Sequence, residues 1–168
     1  MRRDELRAIQ APLKEHYAQE PGAAQVTLCA TGSVGEGVAC SVQTGRAIAQ
    51  AGLHPATGGD GSLLCSGDML LEALVACAGV TLKAVATSLG IPAPSGQVRA
   101  EGDLDFRGTL GVKREAPVGF SAIRLSFELD TDADEEQLAT LCKLTERHCV
   151  VYQSLANTPA LSTTVTNA

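Results

Sequence analysis

Two segments of the chain alternate apolar and polar residues with a period of two. In Val98–Phe106 every second residue is apolar or small and all of the residues between them are charged, and Ile123–Leu129 repeats the apolar spacing. This period directs one face of a strand to a core and the other face to water. The pattern therefore predicts two half-buried strands, with residues 116–119 in their connection.

A third segment has the length of a helix and no polar face. Met69–Leu89 is apolar on nearly every side, and its only charges are Glu72 and Lys83. A helix that is apolar all round is buried on all sides. Ser66 is a candidate N-cap for this helix, and Asp68 lies near the positive end of its dipole.

A second long helix is predicted near the end of the chain, and it is amphipathic. Asp132 and Glu135 have the spacing of a capping box that opens this helix. Five of its residues fall on one stripe at steps of three, four and seven: Leu138, Leu141, Cys142, Thr145 and Cys149. We expect this stripe to face the interior.

The rest of the chain supplies shorter elements. Residues 3–19 have helical periodicity, which Pro12 should interrupt because proline removes a backbone donor. Short strands are predicted at Gln25–Ala30, Gly37–Thr44 and, at the end of the chain, Leu161–Val165. Gly52–Gly61 is predicted to be a glycine-rich loop. Helices and strands in this order give the α+β class. We expect one domain over residues 1–168, in which residues 1–21 are an N-terminal helical extension.

Composition and charge narrow the classes of function. The formal net charge is −6, and 13 basic residues are scattered among 19 acidic ones, so the clustered cations that nucleic-acid phosphates require are missing. No apolar run approaches the roughly 20 residues that span a bilayer, since Glu72 and Lys83 interrupt even the Cys77 helix. No apolar stretch follows Arg2 and Arg3 as in a secretory signal. We expect a cytoplasmic protein that binds neither nucleic acid nor a membrane.

Cysteine is the residue type that carries candidate chemistry. The six cysteines contain no C-x-x-C spacing, which argues against a zinc site, and no G-x-S-x-G nucleophile elbow occurs. Composition alone favours buried, inert thiols, because free cysteine behaves as a small hydrophobe. Cys77, in the middle of the apolar helix, gains nothing from the dipole of that helix, so a reactive thiolate there needs an arginine or another cation from elsewhere in the fold.

Two motifs change this interpretation. The first is Leu-Leu-x-Ala-Leu-x-Ala-Cys77, opened by a Ser/Gly turn, and the second is Glu146–Val151, which contains Cys149. This pair, in this order, resembles the OsmC/Ohr family of thiol-dependent hydroperoxide reductases, over most of the chain from about Gly45 onward. The resemblance implies two long buried helices flanked by curved antiparallel sheets, in an intertwined homodimer.

The resemblance also implies roles for the two cysteines. Cys77 would attack an organic or small hydroperoxide, and Cys149 would resolve the resulting sulfenate as a disulfide that an external dithiol reduces. Cys142, one heptad before Cys149, is a lower-ranked competitor, and the other cysteines would be dispensable: Cys29, Cys40 and Cys65. No metal or organic cofactor is implied.

The activating charges depart from the family pattern. The family places a glutamate ten residues before the nucleophile, and Gly67 stands there. Asp68 is the candidate replacement, although an acid at a helix start is an equally good interpretation. Arg46 is the candidate arginine, and an exposed charge at a strand end explains it as well. Val150 also replaces the proline that commonly follows the second cysteine.

Two further hypotheses stay open at this point. The chain can be a family member that kept the fold and lost rapid peroxide chemistry, acting as a binding or redox-sensing protein, and Gly67 is the main support for this. More remotely, its cysteines and histidines can hold a metal. Peroxide kinetics and elemental analysis separate these hypotheses from a peroxidase.

Overall fold

The computed structural model describes residues 2–19, 31–34, 39–44, 47–91, 95–111 and 114–167. In chain order, its elements are α1 (Arg3–Gln19), β1 (Thr31–Val34), β2 (Ala39–Thr44), β3 (Ala47–Gly52), β4 (Leu64–Cys65), α2 (Ser66–Leu89), β5 (Ser95–Asp103), α3 (Phe106–Thr109), β6 (Ala122–Asp130), α4 (Glu135–His148) and α5 (Val150–Ala156). This mixture of helices and strands confirms the predicted α+β class.

The two alternating segments form one antiparallel pair, β5 with β6. The residues of β6 alternate between exposed and half-buried along its whole length, and α2 packs against β5. The predicted alternation is therefore confirmed, with one change at its end. β5 stops at Asp103, and Phe106 begins α3 instead, because the side chain of Asp105 accepts a hydrogen bond from the Arg107 N–H and caps a short helix there.

α2 is the central element, in contact with α1, β4, β5, α4 and α5. Its buried residues follow one another at steps of four: Leu74, Ala78, Leu82 and Ala86. Within one chain only this stripe of α2 is fully buried, and Val80, on another face of the helix, is 73% exposed. The prediction of a helix buried on all sides is therefore wrong for the single chain.

Both long helices begin close to the predicted residues, with different caps. Cys65 is the N-cap residue of α2, without a side-chain cap bond, and Ser66 is the first residue inside the helix. α4 begins with a complete capping box between Asp134 and Gln137, two residues after the predicted pair. A reciprocal box needs an acceptor three residues after the cap, and Gln137 provides it.

The core lies between α2, α4 and the β5–β6 pair. One buried cluster contains Leu82, Ala86, Ile91 and Leu141. The second contains Leu74, Ala78 and Cys149. From the first cluster to the second, residue numbers fall along α2 and rise along α4, so these two helices run antiparallel.

The N-terminal half of the chain forms a separate four-stranded sheet in the order β1-β2-β3-β4. The predicted strand Gly37–Thr44 corresponds to β2, and the predicted strand Gln25–Ala30 lies outside the described residues. β3 and β4 pair in parallel, so the expectation of antiparallel sheets is wrong at this pair. The glycine-rich loop holds a short 3-10 turn, Pro55–Thr57.

The end of the chain differs from its prediction. Residues 157–167 have no regular structure, so the predicted strand Leu161–Val165 is not formed. Leu161 is 87% exposed and Val165 is 90% exposed. Alternation alone does not make a strand, since a strand also needs a neighbour for its backbone hydrogen bonds, and none lies beside these residues in the described part of the chain.

α2 has a second property that the sequence reading missed. Its 24 residues include an 18-residue window with a mean hydropathy of 1.8, which is long and apolar enough to cross a membrane. The expectation that no segment reaches this length is therefore wrong. In the fold α2 packs against β5, α4 and α5, and the core helix of a globular domain has the same length and composition.

Replacing Leu141 by alanine tests the packing of α4 on α2. Leu141 is 1% exposed, and losing its side chain should lower the free energy of unfolding by about 2–5 kcal/mol. Urea unfolding followed by circular dichroism measures this loss. Leu110→Ala, at a position that is 54% exposed, is the control and should change little. Equal effects of the two substitutions would contradict the described core.

Candidate active site

The two predicted cysteines meet where α2 passes the junction of α4 and α5. Cys77 is half-buried and packs against the cluster that contains Cys149. Cys149 is 0% exposed. The fold therefore brings together two thiols that are 72 residues apart in the chain, the difference between 149 and 77.

Cys149 is held by both helices that it joins. Its N–H donates to the Thr145 carbonyl at 2.9 Å, and its carbonyl accepts from the Gln153 N–H at 2.9 Å. Its backbone is extended, with φ −76° and ψ 111°, so it ends α4 and caps α5 at once. Its Sγ accepts from the Tyr152 N–H at 3.5 Å. These bonds hold Cys149 at the junction of α4 and α5.

The surroundings of Cys77 favour its thiolate. Burial opposes ionisation, but the backbone N–H of Val151, the Cys149 thiol, the Val150 N–H and the Thr81 hydroxyl all stabilise the anion and together lower the Cys77 pKa. The expectation that Cys77 gains nothing from the start of its own helix holds. The start of a different helix, α5, supplies the amides instead.

Cys149 is shifted in the opposite direction. Burial raises its pKa first, and the neighbouring Cys77 sulfur raises it further, although the N–H groups of Tyr152 and Val151 lower it in part. Two adjacent thiols cannot both ionise easily, because the first negative charge disfavours the second. The pair therefore separates into one thiol with a lowered pKa, Cys77, and one with a raised pKa, Cys149.

The other candidate residues lie away from the thiol pair or outside the description. Arg46 and Cys29 are among the residues that the structure does not describe. Asp68 is nine residues before Cys77 on α2, which corresponds to about 180° around the helix and about 14 Å along it. Asp68 is exposed there and lines a separate depression with Glu72. Within one chain the structure does not bring Asp68 to Cys77.

Cys142 also lies away from the pair. It is exposed, and its Sγ lies 3.9 Å from a Glu146 carboxylate oxygen. Residual burial and this carboxylate raise its pKa. Cys65 sits at the start of α2, and Cys40 lies on β2.

Sequence reasoning missed the neutral donors around Cys77. Thr81 is four residues after Cys77 on α2, one turn further on the same face, and this spacing was the one available signal. The N–H groups of Val150 and Val151 carry no signal in the sequence, because any residue except proline supplies one. A search for charged partners does not find donors of this kind.

A groove lies beside the site, at the turn of α2 that carries Thr81. A cavity of about 450 Å³ lies between α1, α2 and α4, and its lining includes Thr81. Most of the other lining residues are apolar or small: Val80, Ala84, Val85, Leu89 and Leu144. Among the described residues, no three His, Cys, Asp or Glu side chains cluster as metal ligands.

Comparison with known proteins identifies the family. The sequence model of the OsmC-like proteins matches residues 59–164, more than half of the chain. The chain belongs to the OsmC-like family. The matched segment contains both cysteines of the site and most of the core helices.

Solved structures confirm the OsmC-like fold. An OsmC-like protein from Mycoplasma pneumoniae has a TM-score of 0.66 at 16% identity, covering 80% of this chain and 90% of that one. An organic hydroperoxide resistance protein OsmC from Legionella pneumophila gives 0.62 at 16% identity, over 80% and 92%. The organic hydroperoxide resistance protein OhrB of Bacillus subtilis gives 0.53 at 18% identity, over 79% and 93%. Among curated proteins, none matches this sequence.

The different pKa shifts of the thiols can be tested by alkylation. A thiolate reacts and a thiol does not, so a lowered pKa moves the rise in alkylation rate to lower pH. With iodoacetamide, the midpoint for Cys77 should lie below that of an unperturbed cysteine, because its pKa is lowered. Cys142 is the internal control, with a midpoint above that of an unperturbed cysteine because its pKa is raised. Mass spectrometry of the labelled peptides measures both, and the reverse order would contradict this description.

Proposed function

We propose that this OsmC-like protein is a thiol-dependent peroxidase that reduces organic or small hydroperoxides, with Cys77 as nucleophile and Cys149 as resolving cysteine. The observation that carries the proposal is the contact between two thiols whose pKa values are shifted in opposite directions. A nucleophile has to be ionised before the peroxide arrives. A resolving thiol that stays protonated does not compete with it.

The chemistry follows from the pair. The Cys77 thiolate attacks the terminal oxygen of the hydroperoxide, the O–O bond breaks, and the alkoxide takes a proton from solvent and leaves as an alcohol. Cys77 is then a sulfenic acid. Cys149 attacks that sulfur, a disulfide forms and water leaves. A dithiol reductant, oxidised in turn, restores both thiols.

The contact between Cys77 and the cluster of Cys149 supports formation of this disulfide. Bridged cysteines need Cα atoms within about 7 Å, and two packed helices have axes about 8–10 Å apart. Cys149 also lies at a break between helices, where its backbone is extended. A residue at such a junction can shift toward Cys77 without breaking the interior of either helix.

The groove beside the site supports an organic substrate. Its lining is mostly apolar and includes Thr81, whose hydroxyl stabilises the Cys77 thiolate. An alkyl chain would bury apolar surface there, whereas bare hydrogen peroxide would gain nothing from it. The hydroperoxide resistance named for the Legionella and Bacillus proteins agrees with this choice. We place the protein in the cytoplasm, where thiols are kept reduced.

The second candidate function is redox sensing or binding without fast turnover. Gly67 stands in place of the family glutamate, and Asp68 lies on the opposite side of α2 from Cys77. If no acid reaches the peroxide, the thiol pair would oxidise slowly and act as a sensor. The rate of the first oxidation step separates the two functions.

We also propose that two chains form the intertwined dimer. α2 leaves an apolar face uncovered, with Val80 at 73% exposure, and the tail exposes Leu161 and Val165. An obligate interface of this kind buries more than about 2,000 Å² in total.

Cysteine substitutions test the catalytic assignment. Cys77→Ser should abolish turnover of cumene hydroperoxide with dithiothreitol. Cys149→Ser should allow one reduction per site and then stall or over-oxidise, because the sulfenate has no resolving partner. Cys65→Ser is the control and should turn over like the wild type. Wild-type turnover by Cys77→Ser, or a disulfide between Cys77 and a cysteine other than Cys149 in mass spectra, would refute the mechanism.

A charge on the open face of α2 tests the dimer. Light scattering at micromolar concentration should give twice the chain mass for the wild type. Val80→Glu should shift this to a monomer, since an unpaired charge in an apolar interface is costly. Val118→Glu, at a position that is 64% exposed in the loop before β6, is the matched control and should stay dimeric. A monomeric wild type would rule the proposal out.

A further inference from the structure

Thr145 is a buried hydroxyl without a hydrogen bond. It is 0% exposed, and its Oγ1 has no hydrogen-bond partner among the described residues. Buried hydroxyls in folded proteins are nearly always paired, since leaving one unpaired destabilises the fold. A helical threonine can also bond back to the carbonyl four residues earlier, and Thr145 does not do so. This group therefore requires an explanation.

The packing of α2 and α4 places Thr145 next to the thiol pair. It lies one turn after Leu141, which shares a cluster with Leu82, and one turn before Cys149, which shares a cluster with Ala78. Because the helices run antiparallel, Thr145 faces the part of α2 between Ala78 and Leu82. Cys77 adjoins that turn.

Two threonine hydroxyls therefore lie on the two helices that pack together beside Cys77. Thr81 already stabilises the Cys77 sulfur. Thr145, on the facing helix, has no hydrogen-bond partner for its hydroxyl in the described part of the chain.

We propose that the Thr145 hydroxyl donates a hydrogen bond to the oxygen that Cys77 takes from the hydroperoxide. This inference rests on the peroxidase function proposed above. As the S–O bond forms and the O–O bond breaks, two electrons pass from the Cys77 sulfur to the departing alkoxide, which takes a proton from solvent. The transferred oxygen stays on sulfur and pairs with Thr145. The donor is positioned beforehand, so no reorganisation is needed during the reaction.

Stability and reactivity should change in opposite directions at this position. Valine has nearly the shape of threonine without the hydroxyl, so Thr145→Val removes an unpaired buried polar group and should raise the melting temperature by about 2–4 °C. The same change removes the donor and should slow oxidation of Cys77 by cumene hydroperoxide about 10- to 100-fold in stopped-flow experiments. Thr145→Ser keeps a hydroxyl and should recover much of that rate.

Thr81→Val separates this role from that of the other hydroxyl. It should raise the Cys77 pKa, seen as a shift of the alkylation profile to higher pH, because Thr81 contacts the thiolate. Thr145→Val should leave that profile unchanged, because Thr145 acts on the oxygen and not on the reduced sulfur.

The outcomes divide clearly. A Thr145→Val protein that is more stable and as fast as the wild type overturns the inference and leaves the peroxidase function intact. A less stable variant overturns it as well, because the hydroxyl would then be satisfied in the fold. A wild-type protein that reacts no faster than free cysteine overturns the peroxidase function and this inference with it.

Discussion

The antiparallel packing of α2 on α4 is the contact on which both the core and the site depend. The seam that buries Leu82 and Leu141 also delivers Cys149 to Cys77. Sliding one helix by a single turn would move the thiols apart by about 5.4 Å and leave the core side chains unmatched. Thermodynamic stability and the approach of the two thiols therefore require the same register, and neither can change without the other.

The acidity of Cys77 comes largely from dipoles that the backbone fixes in place. The N–H groups of Val150 and Val151 cannot swing away as a long arginine side chain can, and they lose no side-chain entropy when the site forms. Burial acts against ionisation at both thiols. The difference between them arises because Cys77 receives donors from two helices, whereas Cys149 lies beside the charge that Cys77 acquires.

Local patterns predicted the parts of the fold that local rules control. The alternation of β5 and β6 and the length of α2 follow from residues within each segment. The sequence placed the capping box of α4 two residues too early, because Asp132 and Glu135 have the same spacing as the observed pair, Asp134 and Gln137. The strand predicted at Leu161–Val165 needs a neighbouring strand, and the described part of the chain does not provide one. The pairing of Cys77 with Cys149 was predicted from the family motifs. The amide donors of α5 were not predicted, because they reach Cys77 only through tertiary packing.

Replacing Val150 by proline at the junction of α4 and α5 would change both the stability of the fold and the pKa of Cys77. Cys149 already has the extended backbone that a following proline demands, and Val150 occupies the first position of α5, where proline fits well. Proline at this position would restrict the unfolded chain and so reduce the conformational entropy lost on folding. It would also delete the Val150 N–H, which stabilises the Cys77 thiolate. Valine keeps that amide, so the bend between the two helices retains some freedom in exchange for a more acidic thiol.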